Sequence, residues 1–167
     1  LHSDGSVRQV IGPTLTADER TVLEARQREA EADRARKAEA VRSDRNLLAR
    51  YPNEAAHRKA REKALDNVNG SLKVSQDRLA ALAKERKPLT DEAEFYVGKA
   101  LPAKLKGQLD ANDAAIDAQK VLVQNQKLEA ARVEQNFDVE LERLRRLWSG
   151  APPGSLGEMA VVQAAPS

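Results

Sequence analysis

The residues with the clearest capacity for chemistry are a glutamate and a histidine three positions apart. Glu54 and His57 form an E-x-x-H pair, a spacing that places two metal ligands on one face of a helix. Di-iron carboxylate bundles use this pair twice, together with two further glutamates, whereas this sequence contains it once. A symmetric dimer would supply the second copy, but a lone pair is more typical of a solvated helix start. We therefore predict no metal and no cofactor, with Glu54 and His57 as weak metal-ligand candidates only.

Motifs that carry catalysis are missing from the sequence. It has no cysteine, no phosphate-binding glycine loop and no G-x-S-x-G turn, and its two histidines do not stand near a second catalytic partner. We predict that the chain is not an enzyme and takes no small-molecule substrate.

Three lysines give one short segment a local positive charge. Lys99, Lys104 and Lys106 carry a charge of +3, with no acid between residues 97 and 107. This basic tip could contact an acidic protein, lipid headgroups or nucleic acid. We expect no exposed aromatic side chain among the lysines for base stacking, so nucleic-acid binding is not favoured.

The composition favours long helices rather than a globule with a pocket. Ala, Glu, Lys, Leu and Arg account for 90 of the 167 residues, as is typical of coiled coils. Basic and acidic residues are evenly mixed, and the formal net charge is only +2. No apolar run is long enough to span a membrane, and no signal peptide is visible.

Capping and breaking residues divide the chain into four parts. Residues 1–15 are expected to form an extended lead-in, and residues 16–51 a charged, Ala-rich helix that opens with a capping box at Thr16 and Glu19. Residues 53–148 form a helical hairpin with a turn at 97–101 and a bend near Pro88, where the second helix either breaks or kinks. Residues 149–167 are expected to form a flexible Gly/Pro/Ala tail.

The hairpin is predicted from a heptad pattern that runs in opposite directions along its two helices. Folding the helices together pairs residues whose numbers add to 198 and leaves one layer polar on both sides, Arg86 with Asn112. This layer can hydrogen-bond and is predicted to fix the register. The seam residues are Leu65, Val68, Leu72, Ser75, Leu79, Leu82, Arg86, Leu89, Ala93 and Tyr96 in one helix, and Leu105, Leu109, Asn112, Ile116, Gln119, Val123, Gln126, Ala130 and Val133 in the other.

The same register brings leucines and aromatic residues together at the open end of the hairpin. We expect this anchoring cluster to hold the end of the first helix, which either folds along the hairpin or extends away from it. Because one narrow seam buries little surface, we also expect a homodimer, formed through outward residues of the third helix. The cluster consists of Leu47, Leu48, Tyr51, Leu144, Leu147 and Trp148, and the outward residues are Ala115, Ala118, Val121, Leu122 and Leu128.

Several whole segments resemble a known group of proteins. They are similar to uncharacterised exported proteins of Gram-negative bacteria, which place a small N-terminal domain of unknown function after a signal peptide and before a long coiled coil. The resemblance implies a periplasmic or exported location, and it covers neither the signal peptide nor the small domain. The segments are TLTADER (14–20), LLARYPNEAAHRKAREKAL (47–65), ERKPLTDEAEFY (85–96), LPAKLKGQLDAND (101–113) and LERLRRLWSGAPPGSLG (141–157).

The sequence therefore predicts an all-α fold: an elongated antiparallel helical hairpin with an additional N-terminal charged helix and flexible termini. For function, it favours a structural or protein-interaction coiled-coil module of the bacterial cell envelope. One alternative is a periplasmic holdase that shields unfolded proteins between helical arms. Another is weak binding of nucleic acid or anionic surfaces through the basic tip.

Overall fold

The computed structural model describes residues 14–160, and all regular secondary structure within that range is helical. The α-helices are α1 (Ala17–Arg50), α2 (Glu54–Ala93) and α3 (Ala103–Trp148), and a short 3-10 turn (Glu94–Tyr96) follows α2. Helices α2 and α3 form an elongated antiparallel hairpin, to which α1 is added as an N-terminal helix. The predicted fold class is confirmed. Most of the predicted lead-in, and residues 161–167 of the predicted tail, lie outside the described residues.

Each helix begins where the sequence provides a suitable first turn. The Thr16 hydroxyl accepts a hydrogen bond from the backbone N–H of Glu19 at 3.0 Å, and the Asn53 side chain accepts one from Ala56 at 2.9 Å. Both contacts satisfy a backbone donor that has no partner inside the helix. Pro102 stands immediately before α3, where its missing N–H costs nothing.

Helix α2 continues through Pro88 to Ala93, so the proline does not end it. Thr90, which could have capped a new helix, instead donates its hydroxyl to the carbonyl oxygen of Lys87 at 2.9 Å. The chain then reverses at Gly98, whose φ of +79° is open to glycine but strained for other residues. At 1.5 Å per residue, the 46 residues of α3 extend over roughly 70 Å.

The core of the hairpin lies along the heptad seam. Every seam position predicted in α2 and α3 is buried or half-buried, and Leu82, Leu105 and Val123 are among the most buried. The Gln119 side-chain amide donates to the carbonyl oxygen of Ser75 at 3.0 Å, across the seam and within one turn of the predicted pairing. The periodicity of the sequence thus identifies the buried face of both helices.

Helix α1 contacts the hairpin only near its C-terminal end, where it packs on α3. Its contact begins at Ala40 and continues through Asp44 and Leu47, whereas residues 14–39 are all exposed. We call residues 14–39 the free arm. Its helical part is roughly 35 Å long. Of the two directions considered for the first helix, the structure shows the one that extends away from the hairpin.

Within residues 14–160, none of the helices combines the length and apolar character required to cross a membrane.

Candidate functional site

The three helices and the following chain meet at the open end of the hairpin, in a region that we call the junction. Leu47, Tyr51, Leu144 and Leu147 are buried there, and Leu48 and Trp148 pack against them together with Ala60, Ala151 and Leu156. The Trp148 indole N–H donates to the carbonyl oxygen of Tyr51 at 3.0 Å. The structure thus brings together all six residues of the predicted anchoring cluster.

The E-x-x-H pair is divided between two environments. His57 is only 1% exposed, with its ring edge-on to Tyr51 and Phe137 at centroid distances of 4.9 and 5.3 Å. Its Nε2 lies 2.8 Å from Oε1 of Glu140. The prediction of a solvated helix start is therefore wrong for His57, because the Tyr51 and Phe137 rings enclose it.

Glu54 turns to a different partner. Its carboxylate accepts hydrogen bonds from Nε and Nη2 of Arg145 at 3.0 and 2.6 Å. These bonds and the charge of Arg145 lower the pKa of the Glu54 carboxyl. Among residues 14–160, no three His, Asp or Glu side chains converge in a way that could hold a metal ion. Glu54 and His57 therefore act as separate helix-to-helix contacts.

The most buried charged contact of the junction is one that sequence reasoning missed. Asp44 is 1% exposed and Arg143 is 9% exposed. Arg143 donates from Nε to Oδ1 of Asp44 at 2.6 Å and from Nη2 to Oδ2 at 3.1 Å, and it also binds the carbonyl oxygen of Gly157. The backbone N–H of Gly154 donates to Oδ2 of Asp44 at 2.8 Å. We call Asp44, Arg143, Gly154 and Gly157 the clasp.

Two opposing effects act on the Asp44 carboxyl. Burial raises its pKa, but the hydrogen bonds from Arg143 and Gly154, together with the charge of Arg143, outweigh burial and lower the pKa overall. Asp44 is therefore held in its charged form, as a buried acceptor that joins α1 to α3 and to the chain after α3. The sequence does contain a signal for this contact, since Asp44 lies on the same helical face as Ala40 and Leu47. A charged residue on an apolar face indicates that it is buried against a partner of opposite charge.

The segment after α3 also needs a correction. We predicted a flexible tail from residue 149, but Ala151 and Leu156 pack on the junction and Gly154 contacts α1. Gly154 has a φ of +85°, and a Cβ placed on it would lie 2.5 Å from Cγ2 of Val41. Only glycine fits there without displacing α1. Residues 151–157 therefore form an ordered strap across α1 and α3.

A groove of about 460 Å³ runs between α1, α3 and the strap. Its charged floor is already paired, since Asp44 binds Arg143 and Glu140 binds His57. Polar and charged side chains at its rim are exposed to solvent. The other residues that line it are Glu39, Ala40, Ser43, Asn46, Leu47, Arg50, Gly157, Glu158 and Met159. The charges of the junction therefore serve first to fix the helices in position.

The predicted polar layer lies in the part of the hairpin nearer the turn. Arg86 donates from Nη1 to Oδ1 of Asn112 at 3.1 Å, and it also binds the Asp113 carboxylate. The Asn112 amide donates in turn to the carbonyl oxygen of Leu82 at 3.0 Å. Asn112 is 6% exposed, so its amide is satisfied inside the seam, and a one-heptad slip would leave it without these partners.

The hairpin turn carries the basic tip. Lys99, Lys104 and Lys106 are exposed, and no carboxylate of residues 14–160 forms an ion pair with them. Phe95 and Val97, which flank Tyr96, are each 81% exposed. No aromatic residue stands among the three lysines, but Phe95 is exposed four positions before Lys99.

Comparison with protein-family models, with curated proteins and with solved structures found no match. The family resemblance given above therefore stays a prediction.

Proposed function

We propose that the chain is a protein-interaction coiled-coil module of the bacterial cell envelope, in which the hairpin holds the free arm out toward a partner. The observation that carries this proposal is the exposure of every residue from 14 to 39. A helical segment of this length gains little stability from ion pairs, at about 0.2 to 0.5 kcal/mol each. A partner that covers one of its faces would supply the missing stability.

The arm offers a partner one apolar patch. Leu15, just before the helix, and Val22 and Leu23, in its second turn, are 41%, 50% and 43% exposed and line the same surface cavity. The remainder of the arm consists almost entirely of alanine and charged residues, which include the exposed pair Asp33 and Arg36. The patch therefore fits a protein with an apolar groove, and the charged remainder keeps the arm soluble between contacts.

Site-specific photo-crosslinking in cells tests this proposal. A photoreactive residue at Leu23 should yield one discrete adduct, and the same residue at the exposed, charged Arg34 should not. Val22→Asp with Leu23→Asp should remove an adduct formed from a probe at Leu15. Equal adducts from Leu23 and Arg34, or adducts that survive the double substitution, would contradict a specific arm contact. Release of the protein by osmotic shock would support the envelope location, and retention in the cytoplasm would contradict it.

A second candidate function rests on the exposed Phe95 beside the basic tip. A lysine cluster next to an exposed aromatic ring is suited to an anionic surface, such as nucleic acid or acidic headgroups. Retention on heparin should then decrease with salt and weaken on replacing Lys99, Lys104 and Lys106 with glutamine. Phe95→Ala should reduce binding to single-stranded nucleic acid more than binding to heparin. Salt-independent retention would argue against this function.

A further inference from the structure

A second apolar seam runs along α3 on the side away from α2. Its six positions follow each other at alternating steps of three and four residues, as in a coiled coil. All six are exposed, Val121 at 61% and Leu128 at 51%, and Leu122 at the edge is 44% exposed. We call these six residues the outer seam: Ala111, Ala114, Ala118, Val121, Asn125 and Leu128.

The composition of the outer seam suits another helix at close range. Three of its six positions are alanine, and small side chains allow two helix axes to approach closely. The hairpin already holds α3 in helical form, so a partner helix would not have to supply the cost of helix nucleation. Nothing in residues 14–160 covers these side chains, since the free arm extends away from the hairpin.

The charges beside the outer seam indicate which helix fits. Along one edge of the seam, Asp110, Asp113 and Asp117 lie in its N-terminal half, and residues 107–119 contain no base. The same edge continues with Lys120 and Lys127, and residues 120–128 contain no acid. Asp113 is bound by Arg86, whereas Asp110 and Asp117 have no ion pair with other described residues.

This pattern is complementary to itself when reversed. If a second α3 runs antiparallel, with a two-fold axis near Val121, the same edges of the two helices lie side by side. Asp117 of each copy then lies within reach of Lys127 of the other copy. A parallel arrangement would place the aspartates beside the opposite edge, which carries Leu122 and Glu129. Opposite charges in register favour the antiparallel arrangement and disfavour the parallel one.

We propose that the outer seam is a self-association surface, on which the α3 helices of two copies pair antiparallel through Val121, Leu122 and Leu128. This inference deepens the proposed interaction function and rests on it. The dimer places the two hairpins side by side and leaves both free arms exposed. The arm contact and this dimer can be tested separately, because they involve different helices.

Sedimentation equilibrium from low to high micromolar concentration tests for the dimer. The wild-type chain should show a concentration-dependent dimer, and Val121→Lys with Leu128→Lys should weaken it at least about tenfold, since each side chain would otherwise be buried on association. Val74→Lys is the matched control, because Val74 is 70% exposed on α2 and lies outside the seam. A wild-type monomer throughout, or a dimer lost on replacing Val22 and Leu23 instead, would overturn the proposal.

A charge exchange tests the orientation. Asp117→Lys and Lys127→Asp should each weaken the dimer, and the double variant should restore it, because the two charges meet across the two-fold axis. The chain has no cysteine, so introduced cysteines give an independent test. Disulfides should form between Val121→Cys chains, whereas Ala111→Cys chains should not crosslink with each other. Self-crosslinking at position 111, or no recovery in the double charge variant, would overturn the antiparallel arrangement.

Discussion

Replacing Asp44 with alanine should undock α1 while leaving the hairpin folded. The substitution removes the carboxylate that faces Arg143, whose side chain is 9% exposed, and leaves the Gly154 N–H without its acceptor. Breaking a buried ion pair by removing one partner costs about 3 to 5 kcal/mol. Burial of Leu47 and Tyr51, which provide most of the apolar attachment of α1, contributes about 3 to 6 kcal/mol. The loss is therefore comparable to the whole apolar attachment of the helix.

Hydrogen exchange measured by mass spectrometry provides the assay. In the Asp44→Ala variant, exchange should rise in residues 40–50 and in the strap, 151–157. It should stay unchanged in the middle of α2 and α3, whose seam does not involve Asp44. Spin labels at Arg28→Cys and Lys127→Cys should report a broader distance distribution between arm and hairpin, and the absence of native cysteine keeps the labelling specific.

Two variants serve as controls for this prediction. Arg145→Ala removes the ion pair between Arg145 and Glu54, whose side chains are 63% and 42% exposed. Because solvent screens an exposed pair, this variant should leave exchange in residues 40–50 nearly unchanged. Asp44→Leu combined with Arg143→Met replaces the pair with apolar side chains and should recover much of the docking. Unchanged exchange in residues 40–50 of Asp44→Ala, or an equal rise throughout the hairpin, would refute the reasoning.

Three other expected outcomes follow from the same structure. The pKa of Asp44 is lowered in the folded state. The stabilisation that Asp44 gives to the docked α1 should therefore be complete above the ordinary carboxyl pKa of 3.8 and decline as the pH falls below it. Hydrogen exchange or spin-label distances at decreasing pH would detect this decline. Gly154→Ala should destabilise the packing of the strap on α1 by more than about 1 kcal/mol, because Gly154 has a positive φ and an added Cβ would meet Val41. Gly107→Ala is the opposite case and should raise the melting temperature, because Gly107 lies in open space within α3. Asn112→Ala should lower the melting temperature of the hairpin, because it removes the buried hydrogen bonds to the Arg86 guanidinium and the Leu82 carbonyl oxygen. An unchanged melting temperature would show that the polar layer is energetically neutral.

The hairpin could be predicted because heptad spacing directly specifies one face of a helix. Leu82, Leu105 and Val123 are buried as the seam requires, and Arg86 lies opposite Asn112. The anchoring cluster followed from the same register, since Trp148 and Tyr51 stand at equal distances from the turn. Periodic contacts between regular helices are the part of this fold that the order of residues specifies most directly.

The rest could not be predicted because it depends on irregular backbone. The strap has no periodicity, and its position requires Gly154 at a positive φ close to Val41, a contact that only the folded chain reveals. The burial of His57 depends on where Phe137 lies, in a stretch where the heptad pattern of α3 is interrupted. Local geometry, rather than propensity, decided each of these positions.

The clasp also determines the order in which the molecule can be completed during synthesis. Asp44 and Gly154 are 110 positions apart in the chain, so α1 leaves the ribosome long before its last contact exists. At about 5 to 20 residues per second, the interval is about 5 to 20 seconds. The hairpin turn brings neighbouring segments together and can form first, since local contacts close quickly. The first helix to be made is therefore the last to be fixed in place. Throughout that interval the apolar residues at its C-terminal end, which later pack on the junction, are accessible to other proteins.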